Sequence, residues 1–302
     1  MLEDERLVVI VEMATYNHEP YIARAIESVM MQKTSFKYML LICEDSSTDN
    51  SQRICLEYKR QFPDKIELHL NTKNLGMSIN SQKMHGLSFK SNAKYIAMCD
   101  GDDYWIDDRK LQKQIDFLEA NHDFSICFHR VMELYSNALV EVEKMNVSPS
   151  PIVYSIEDLA KGNFMHTPSV VFRNGLINEL PDWFDAAPIG DYVIHMLNAR
   201  FGKIYYMPDA MAVYRRGVGV HSTLSTRTIF TNTITVLKLL LTVQFDSDVR
   251  SLLKQTLKSN ENSLLKWRYK KIYALRNFVL NATGLRWLKR WLGNFLKTKL
   301  VV

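Results

Sequence analysis

Hydrophobic positions along the chain fall into short apolar runs separated by stretches with helical spacing. Leu7 to Ala14 is apolar apart from Glu12, Tyr38 to Cys43 is a second run, Ile66, Leu68 and Leu70 alternate, and Tyr95 to Cys99 is a fourth run. Runs of this length, bounded by turn residues, predict buried strands. Between them, Ile22, Ala25, Ile26, Val29 and Met30 recur at helical spacing after Pro20, and Ile54, Cys55 and Tyr58 share a helical face. Further helices are predicted over about Ser78 to Phe89 and around Leu111, Ile115 and Leu118. Strand and helix thus alternate four times in roughly 120 residues, the pattern of a doubly wound, mainly parallel α/β sheet. The alternation then weakens. Asp123 to Glu143 predicts one or two strands, Ser155 to Asp158 caps a short helix, Thr167 to Arg173 reads as a strand, and Pro181 to Gly190 as a loop. Asp191 opens a helix, Lys203 to Met207 and Ala210 to Tyr214 predict short strands, Arg215 to His221 a basic loop with glycines, and the chain from Thr226 onward is helical.

Ligands of parallel α/β sheets bind beyond the carboxyl ends of the strands. Three of the four early strands end in conspicuous polar groups: Tyr16-Asn17, Glu44-Asp45, and Asp100-Gly101-Asp102-Asp103. Three carboxylates within four residues repel one another unless a cation neutralises them, which points to a metal and phosphate site. Gly101 is expected to let the backbone turn so that these carboxylates converge. A calcium loop is excluded, because no glycine and bidentate glutamate follow at the required spacing. Neither Gly-x-Gly-x-x-Gly nor Gly-x-x-x-x-Gly-Lys-Ser/Thr occurs, so dinucleotide and P-loop chemistry are unsupported.

Composition adds the partners. The 302 residues are 47% hydrophobic and 24% charged, enough for one large domain or a domain with an appendage. The polar start predicts no secretory leader, and the window closest to a membrane span, Thr228 to Phe245, is interrupted by Thr, Asn, Lys and Gln. Cys43, Cys55, Cys99 and Cys127 lack metal-type spacing and read as reduced core residues of a cytosolic protein. Net charge is +5, yet ten bases and no acidic residue follow Glu261; subtracting those ten leaves −5 on the remainder. The basic tail interleaves Trp267, Tyr269, Tyr273, Phe278, Trp287 and Trp291 with its bases, as helices lying on an anionic membrane surface do. Nucleic acid is not expected as a partner of a body that is acidic.

Five blocks in order carry a resemblance to family 2 glycosyltransferases, and within them to the bacterial branch that builds surface polysaccharides. They are Ala14-Thr-Tyr-Asn17 with Pro20; Glu44 to Asn50; Asn74-Leu-Gly76; Asp100 to Trp105 followed by Lys110-Leu-Gln-Lys-Gln114; and Gly190-Asp191-Tyr192 followed by Gly202 to Tyr206 and Tyr214-Arg215. The likeness covers about residues 6 to 222. It implies a GT-A fold, a Rossmann-like mixed sheet flanked by helices, in residues 1–225, with a nucleotide-sugar half (1–120) and an acceptor half (121–225). Residues 226–302 would form a helical basic appendage. It implies metal-dependent transfer with inversion, with Mg²⁺ or Mn²⁺, from a nucleotide-diphosphate sugar to a glycan or lipid-linked acceptor, at the inner face of the cell membrane. By the same resemblance Ala14, Thr15, Tyr16 and Asn17 hold the nucleobase, Asp45 accepts from its imide, Asp100 and Gly101 face the ribose and pyrophosphate, Asp102 ligates the metal with Asp103 in support, and Asp191 is the general base. Arg215 and Arg216 are expected on the diphosphate, His221 near the metal, and Trp105, His166 and Thr167 on the acceptor side. Two departures stand out: the helix after Gly76 has no Arg, its first base being Lys83, and Gly217 occupies a position where this branch often has His. Two other classes fit parts of the pattern. A nucleotidylyltransferase would need a Gly-rich basic loop near the first strand, which Ala14 to Pro20 lacks, and a catalytically dead scaffold would not need Asp102 and Asp191.

Overall fold

The computed structural model describes residues 7–135, 138–141, 152–219 and 223–270. In chain order the elements are β1 (Leu7–Thr15), α1 (Ile22–Met30), β2 (Lys37–Glu44), α2 (Ser51–Gln61), β3 (Ile66–Leu70), α3 (Met77–Phe89), β4 (Tyr95–Met98), β5 (Tyr104–Trp105) and α4 (Lys110–Ala120). There follow β6 (Phe124–Tyr135), β7 (Ala138–Glu141), β8 (Val153–Tyr154), α5 (Ile156–Ala160), β9 (Val171–Arg173), α6 (Gly190–Asn198), β10 (Lys203–Arg216), α7 (Thr226–Leu240) and α8 (Ser247–Arg268). Among the described residues the strands form one mixed sheet, ordered β3-β2-β1-β4-β9-β6-β10-β5, with β7 on β6 and β8 on β10. β1 pairs in parallel with β2 and β4, β2 with β3, and β6 with β10; β9 lies antiparallel between β4 and β6. Because β9 reverses direction twice over, the six principal strands β1, β2, β3, β4, β6 and β10 all deliver their carboxyl ends to one edge.

Alternation along the buried strands sorts the core into two layers. Val9, Val11, Met13, Leu40 and Ile42 face α1, α2 and α4, packing with Ile22, Ile26, Val29, Cys55, Leu111 and Leu118. Ile10, Leu41, Ile96, Ile126, Phe128 and Phe172 face the other way, onto α3 and α5 to α8. The C-terminal helices α7 and α8 belong to this second layer through Val236, Leu237, Leu240, Val249 and Leu253, all fully buried. Thr256 of α8 also donates to the Ala160 carbonyl of α5 at 2.9 Å.

Two predicted elements come out differently. The strand expected over Thr167 to Arg173 is a single 3₁₀ turn, Thr167–Ser169, followed by the shorter β9, because Pro168 sits in that turn and cannot donate to a sheet ladder. The two short strands expected around Pro208 are one strand, β10, whose register on β6 slips between Met207 and Ala212. The slip accommodates the proline inside a continuous strand.

Candidate functional site

The carboxyl edge carries a cavity of about 1300 Å³ whose walls come from β1, α3, β4, β6, β8, α5, α6, β10, α7 and α8 and the loops between them, including Asp45 just after β2. One rim, after β1 and β2, is a knit of two loops. Asn17 (φ 55°) and Ser46 (φ 58°) hold left-handed backbone, unusual for residues with a side chain. Asn17 Oδ1 accepts from Thr48 N at 2.8 Å, its N–H donates to Ser47 Oγ at 3.0 Å, and His18 N–H donates to Ser51 Oγ at 2.8 Å. Ala14, Thr15 and Tyr16 line the cavity, and Tyr16, 40% exposed, presents its ring at the rim. Asn17 is not among the lining residues; its side chain braces the rim instead.

Asp45 is buried at the cavity wall with most of its acceptor capacity committed. Oδ1 accepts from Asn71 Nδ2 and Leu75 N–H, both at 2.8 Å, and Oδ2 from Gly76 N–H at 2.9 Å. These bonds fasten the Asn74-Leu-Gly76 loop to β2. A carboxylate offers about four lone-pair sites, so one remains for a further donor. Lys83, the first base of α3, donates to Asn71 Oδ1 at 2.6 Å and is not among the cavity residues.

Asp100, Asp102 and Asp103 converge on the floor. Burial, then the Asp102 charge, then Asp191 and Glu12, push the Asp100 carboxyl up to about 8. Burial and Asp102 likewise push Asp103 well above the ordinary range, against the opposing N–H that Arg215 donates to Asp103 Oδ1 at 2.9 Å. Gly101 is required by space: a Cβ there would lie 2.8 Å from Thr15 Oγ1, 2.9 Å from His18 Nδ1 and 3.0 Å from Ile22 Cδ1. Close approach of β1 and α1, and not a left-handed turn, is what the glycine permits. Arg215 is 7% exposed and not among the lining residues. Its guanidinium donates to the Asp102 carbonyl and lies between the rings of Tyr104 (4.6 Å) and Tyr21 (4.9 Å), so it braces the acidic turn. Arg216 does line the cavity, paired to Glu133.

The residues fit a hard divalent cation. Unrelieved repulsion among buried carboxylates is the deficit such an ion supplies. A side-chain carbon at Gly219 would sit 2.5 Å from Asp102 Oδ2, so the chain closes on that oxygen only because position 219 has none. Among the described residues no group of three or more His, Cys, Asp or Glu forms a complete ligand set. His221 lies outside the described residues.

Asp191 also lines the cavity and sits in the first turn of α6. Its Oδ1 accepts from Tyr192 N–H at 2.7 Å; its Oδ2 accepts from Thr167 Oγ1 and Asn163 Nδ2, each at 3.4 Å. His166 is beside it in the lining, 3.5 Å from Glu133 Oε1 and with its ring 5.0 Å from that of Tyr214. Trp105 is fully buried and not among the lining residues. Its Nε1 donates to the Pro168 carbonyl at 2.9 Å and its face carries Lys110 Nζ at 4.0 Å, so it supports the Thr167–Ser169 turn from behind. Gln114, from the same Lys110 to Gln114 block, donates to the Cys127 and Ser169 carbonyls at 3.0 Å.

The model of glycosyl transferase family 2 matches residues 10–180, more than half of the chain. The chain belongs to this family. A relative in Mycobacterium tuberculosis, itself uncharacterized, is 34% identical over 203 residues, covering 67% of this chain and 57% of that protein. EpsE of Bacillus subtilis, named as a glycosyltransferase, is 34% identical over 161 residues, covering 51% of this chain and 52% of its own length. The chain thus spans little more than half the length of these relatives. Among solved structures, Staphylococcus aureus TarS (residues 1–349) with UDP-GlcNAc superposes with a TM-score of 0.62 at 15% identity, covering 89% of this chain and 76% of that one. A Pyrobaculum calidifontis mannosyltransferase with GDP-Man and Mn²⁺ gives 0.58 at 13% identity, covering 95% and 83%. At such identities the likeness speaks for the family's fold.

Among the cavity residues that the sequence did not single out are His18, Glu133 and Asn163. Glu133 and Asn163 sit in no strand-end cluster or motif, and His18 falls in the gap between Asn17 and Pro20 of the first block. His18 is brought in by the rim loop; Glu133 and Asn163 arrive through long-range packing of β6 and the segment after α5.

Proposed function

We propose that the chain is an inverting, metal-dependent glycosyltransferase. It takes a sugar from a nucleotide-diphosphate donor, UDP-linked, and gives it to a hydroxyl of a glycan or lipid-linked acceptor in surface-polysaccharide synthesis. The observation that carries this is one cavity lined both by Asp102, from the turn after β4, and by Asp191, from the first turn of α6. Its volume of about 1300 Å³ exceeds the 300–1000 Å³ of an ordinary small-ligand pocket and suits two substrates at once. Tyr16 stacks on the nucleobase, the free lone pair of Asp45 takes its imide proton, and Arg216 meets the diphosphate, for which its planar fork is suited. Asp102, supported by Asp103, would hold Mg²⁺ or Mn²⁺, which when bound offsets the charge that develops on the leaving diphosphate. Asp191 accepts the acceptor hydroxyl's proton on the opposite side of the anomeric carbon, so the oxygen displaces the diphosphate directly and the configuration inverts. The named relatives support the substrate class: TarS carries UDP-GlcNAc, and GgaB of Bacillus subtilis, a minor teichoic acid biosynthesis protein, is 36% identical over 92 residues, covering 30% of this chain and 10% of that protein.

The membrane part of the reading rests on the ten bases after Glu261. Most of them, from Lys271 on, lie outside the described residues. No helix among the described residues is long and apolar enough to cross a membrane, and the proposal is peripheral attachment to anionic lipid at the cytoplasmic face. A panel of UDP-, GDP- and dTDP-sugars, titrated calorimetrically with Mn²⁺ and with EDTA, tests the donor reading. Metal-dependent binding of a UDP-sugar with slow hydrolysis is expected; no metal-dependent binding of any nucleotide sugar contradicts it.

A further inference from the structure

We propose that Asn163 and His195 form a positioning relay that fixes the carboxylate of Asp191 in one orientation towards the cavity. The inference rests on the reading of Asp191 as the base that takes the acceptor's proton. Asp191 and His195 stand four residues apart on α6 and so share a helix face. Asn163, from the loop after α5, lies between them. Its Oδ1 is 3.3 Å from the backbone nitrogen of Met165, which can only donate, so the amide oxygen must be on that side. The amide nitrogen is thereby turned to Asp191 Oδ2 at 3.4 Å. The same Oδ1 is 3.3 Å from His195 Nδ1. Since that oxygen accepts, Nδ1 must carry the imidazole proton and Nε2 only a lone pair.

The surroundings of His195 agree. Its Nε2 is buried without a hydrogen-bond partner among the described residues, a worse place for a proton than for a lone pair. Burial holds its pKa down to about 4, so the ring is neutral where the enzyme would work and the relay is fixed. The titratable groups facing this pair from other elements are Asp100 beyond β4, Tyr214 on β10 and His85 on α3. Thr167 Oγ1 provides the second donor to Asp191 Oδ2, and Tyr192 N–H holds Oδ1. Contacts of 3.3–3.4 Å are long, as hydrogen bonds about a catalytic group commonly are before substrate binds. A carboxylate on a short side chain is thus held at both oxygens, with one holder locked by a histidine tautomer, the arrangement by which supporting groups orient a reactive one.

The test has two arms. In the full-length protein labelled with ¹⁵N-histidine, and with the His195 signals assigned by H195N, the relay requires Nδ1 protonated and Nε2 unprotonated from pH 5 to 8. An Nε2–H tautomer overturns it. In the second arm, Mn²⁺-dependent hydrolysis of UDP-GlcNAc is followed against pH. N163D, at an exposed position that tolerates the change, replaces a donor by a like charge. It should lower kcat about 10- to 100-fold, leave KM for the donor unchanged, and move the acid limb of the pH–rate profile upward. N163A should fall between. H195N, which keeps a donor near the Nδ1 position, should retain more activity than H195L. An unchanged kcat and acid limb in N163D, with D191N inactive, would overturn the relay and leave the base assignment standing. Full activity of D191N, or no hydrolysis by the unmodified protein, would overturn the functional reading, and the ¹⁵N arm would still decide the relay.

Discussion

Replacing Asp102 by Asn should make the metal-free protein more stable at alkaline pH while abolishing its gain from metal and nucleotide. After burial, the Asp102 charge is the largest cause holding Asp100 up to about 8 and Asp103 well above the ordinary range. A carboxyl raised in the folded state binds its proton more tightly there than in the unfolded chain. Between 3.8 and about 8 the native state therefore carries the extra proton, and stability falls as pH rises through that window. At about 1.4 kcal/mol per tenfold change in affinity, the whole displacement of Asp100 is on the order of 5 kcal/mol. A like-charged neighbour typically accounts for about one to three tenfold steps, so Asp102→Asn should recover on the order of 1–3 kcal/mol at pH 8.5. For a chain of this size that is a rise in Tm of about 2–6 °C. Near pH 5 the advantage should vanish, because Asp100 is protonated in both proteins. With Mn²⁺ and UDP present the order should reverse. Ligand at about 100 times Kd stabilises the parent by roughly 2.7 kcal/mol, and the variant lacks the carboxylate that would hold the ion. Scanning calorimetry at pH 5 and 8.5, in EDTA and in Mn²⁺ with UDP, reads all four states. A variant that is less stable than the parent in EDTA at pH 8.5, or a difference independent of pH, would refute the reasoning.

Two further outcomes concern the C-terminal helices. Leu253→Ala, at a fully buried position of α8, should cost about 2–5 kcal/mol in urea unfolding, since these helices complete one core layer; a cost below about 1 kcal/mol would show that α8 packs only loosely. Truncation after Lys270 should leave donor binding intact but weaken co-sedimentation with anionic vesicles, more so at low salt than at high; equal vesicle binding by the two forms would put the membrane contact elsewhere.

The legible parts of this chain are those set by local pattern. β3 coincides with its predicted bounds, and β1, β2, β4 and α3 are displaced by a residue or two, because buried parallel strands read as apolar runs and their helices as periodic ones. The same pattern placed three polar strand ends at one edge. What it could not convey is where side chains commit themselves after folding. Asn17 and Arg215, conspicuous in sequence, brace the rim and the acidic turn. Trp105 lies behind the Thr167–Ser169 turn because its indole reaches a carbonyl 63 residues along the chain. Asn163, which touches Asp191, stands in an unremarkable Gly-Asn-Phe loop and enters only through the packing of α5 against α6. The helical C-terminal appendage is present as α7 and α8; that Leu237 and Leu253 would be fully buried was not legible in the pattern.

Asp191→Asn tests the central claim most directly, by comparing donor affinity with turnover in one variant. Asp191 lines the same cavity as Asp100, Asp102 and Asp103 but comes from a different element, the first turn of α6. Calorimetric affinity for the UDP-sugar with Mn²⁺ should therefore stay within about twofold of the parent, while single-turnover transfer falls by about two to four orders of magnitude. Transfer at near the parent rate, or donor affinity lost in step with turnover, would contradict the account.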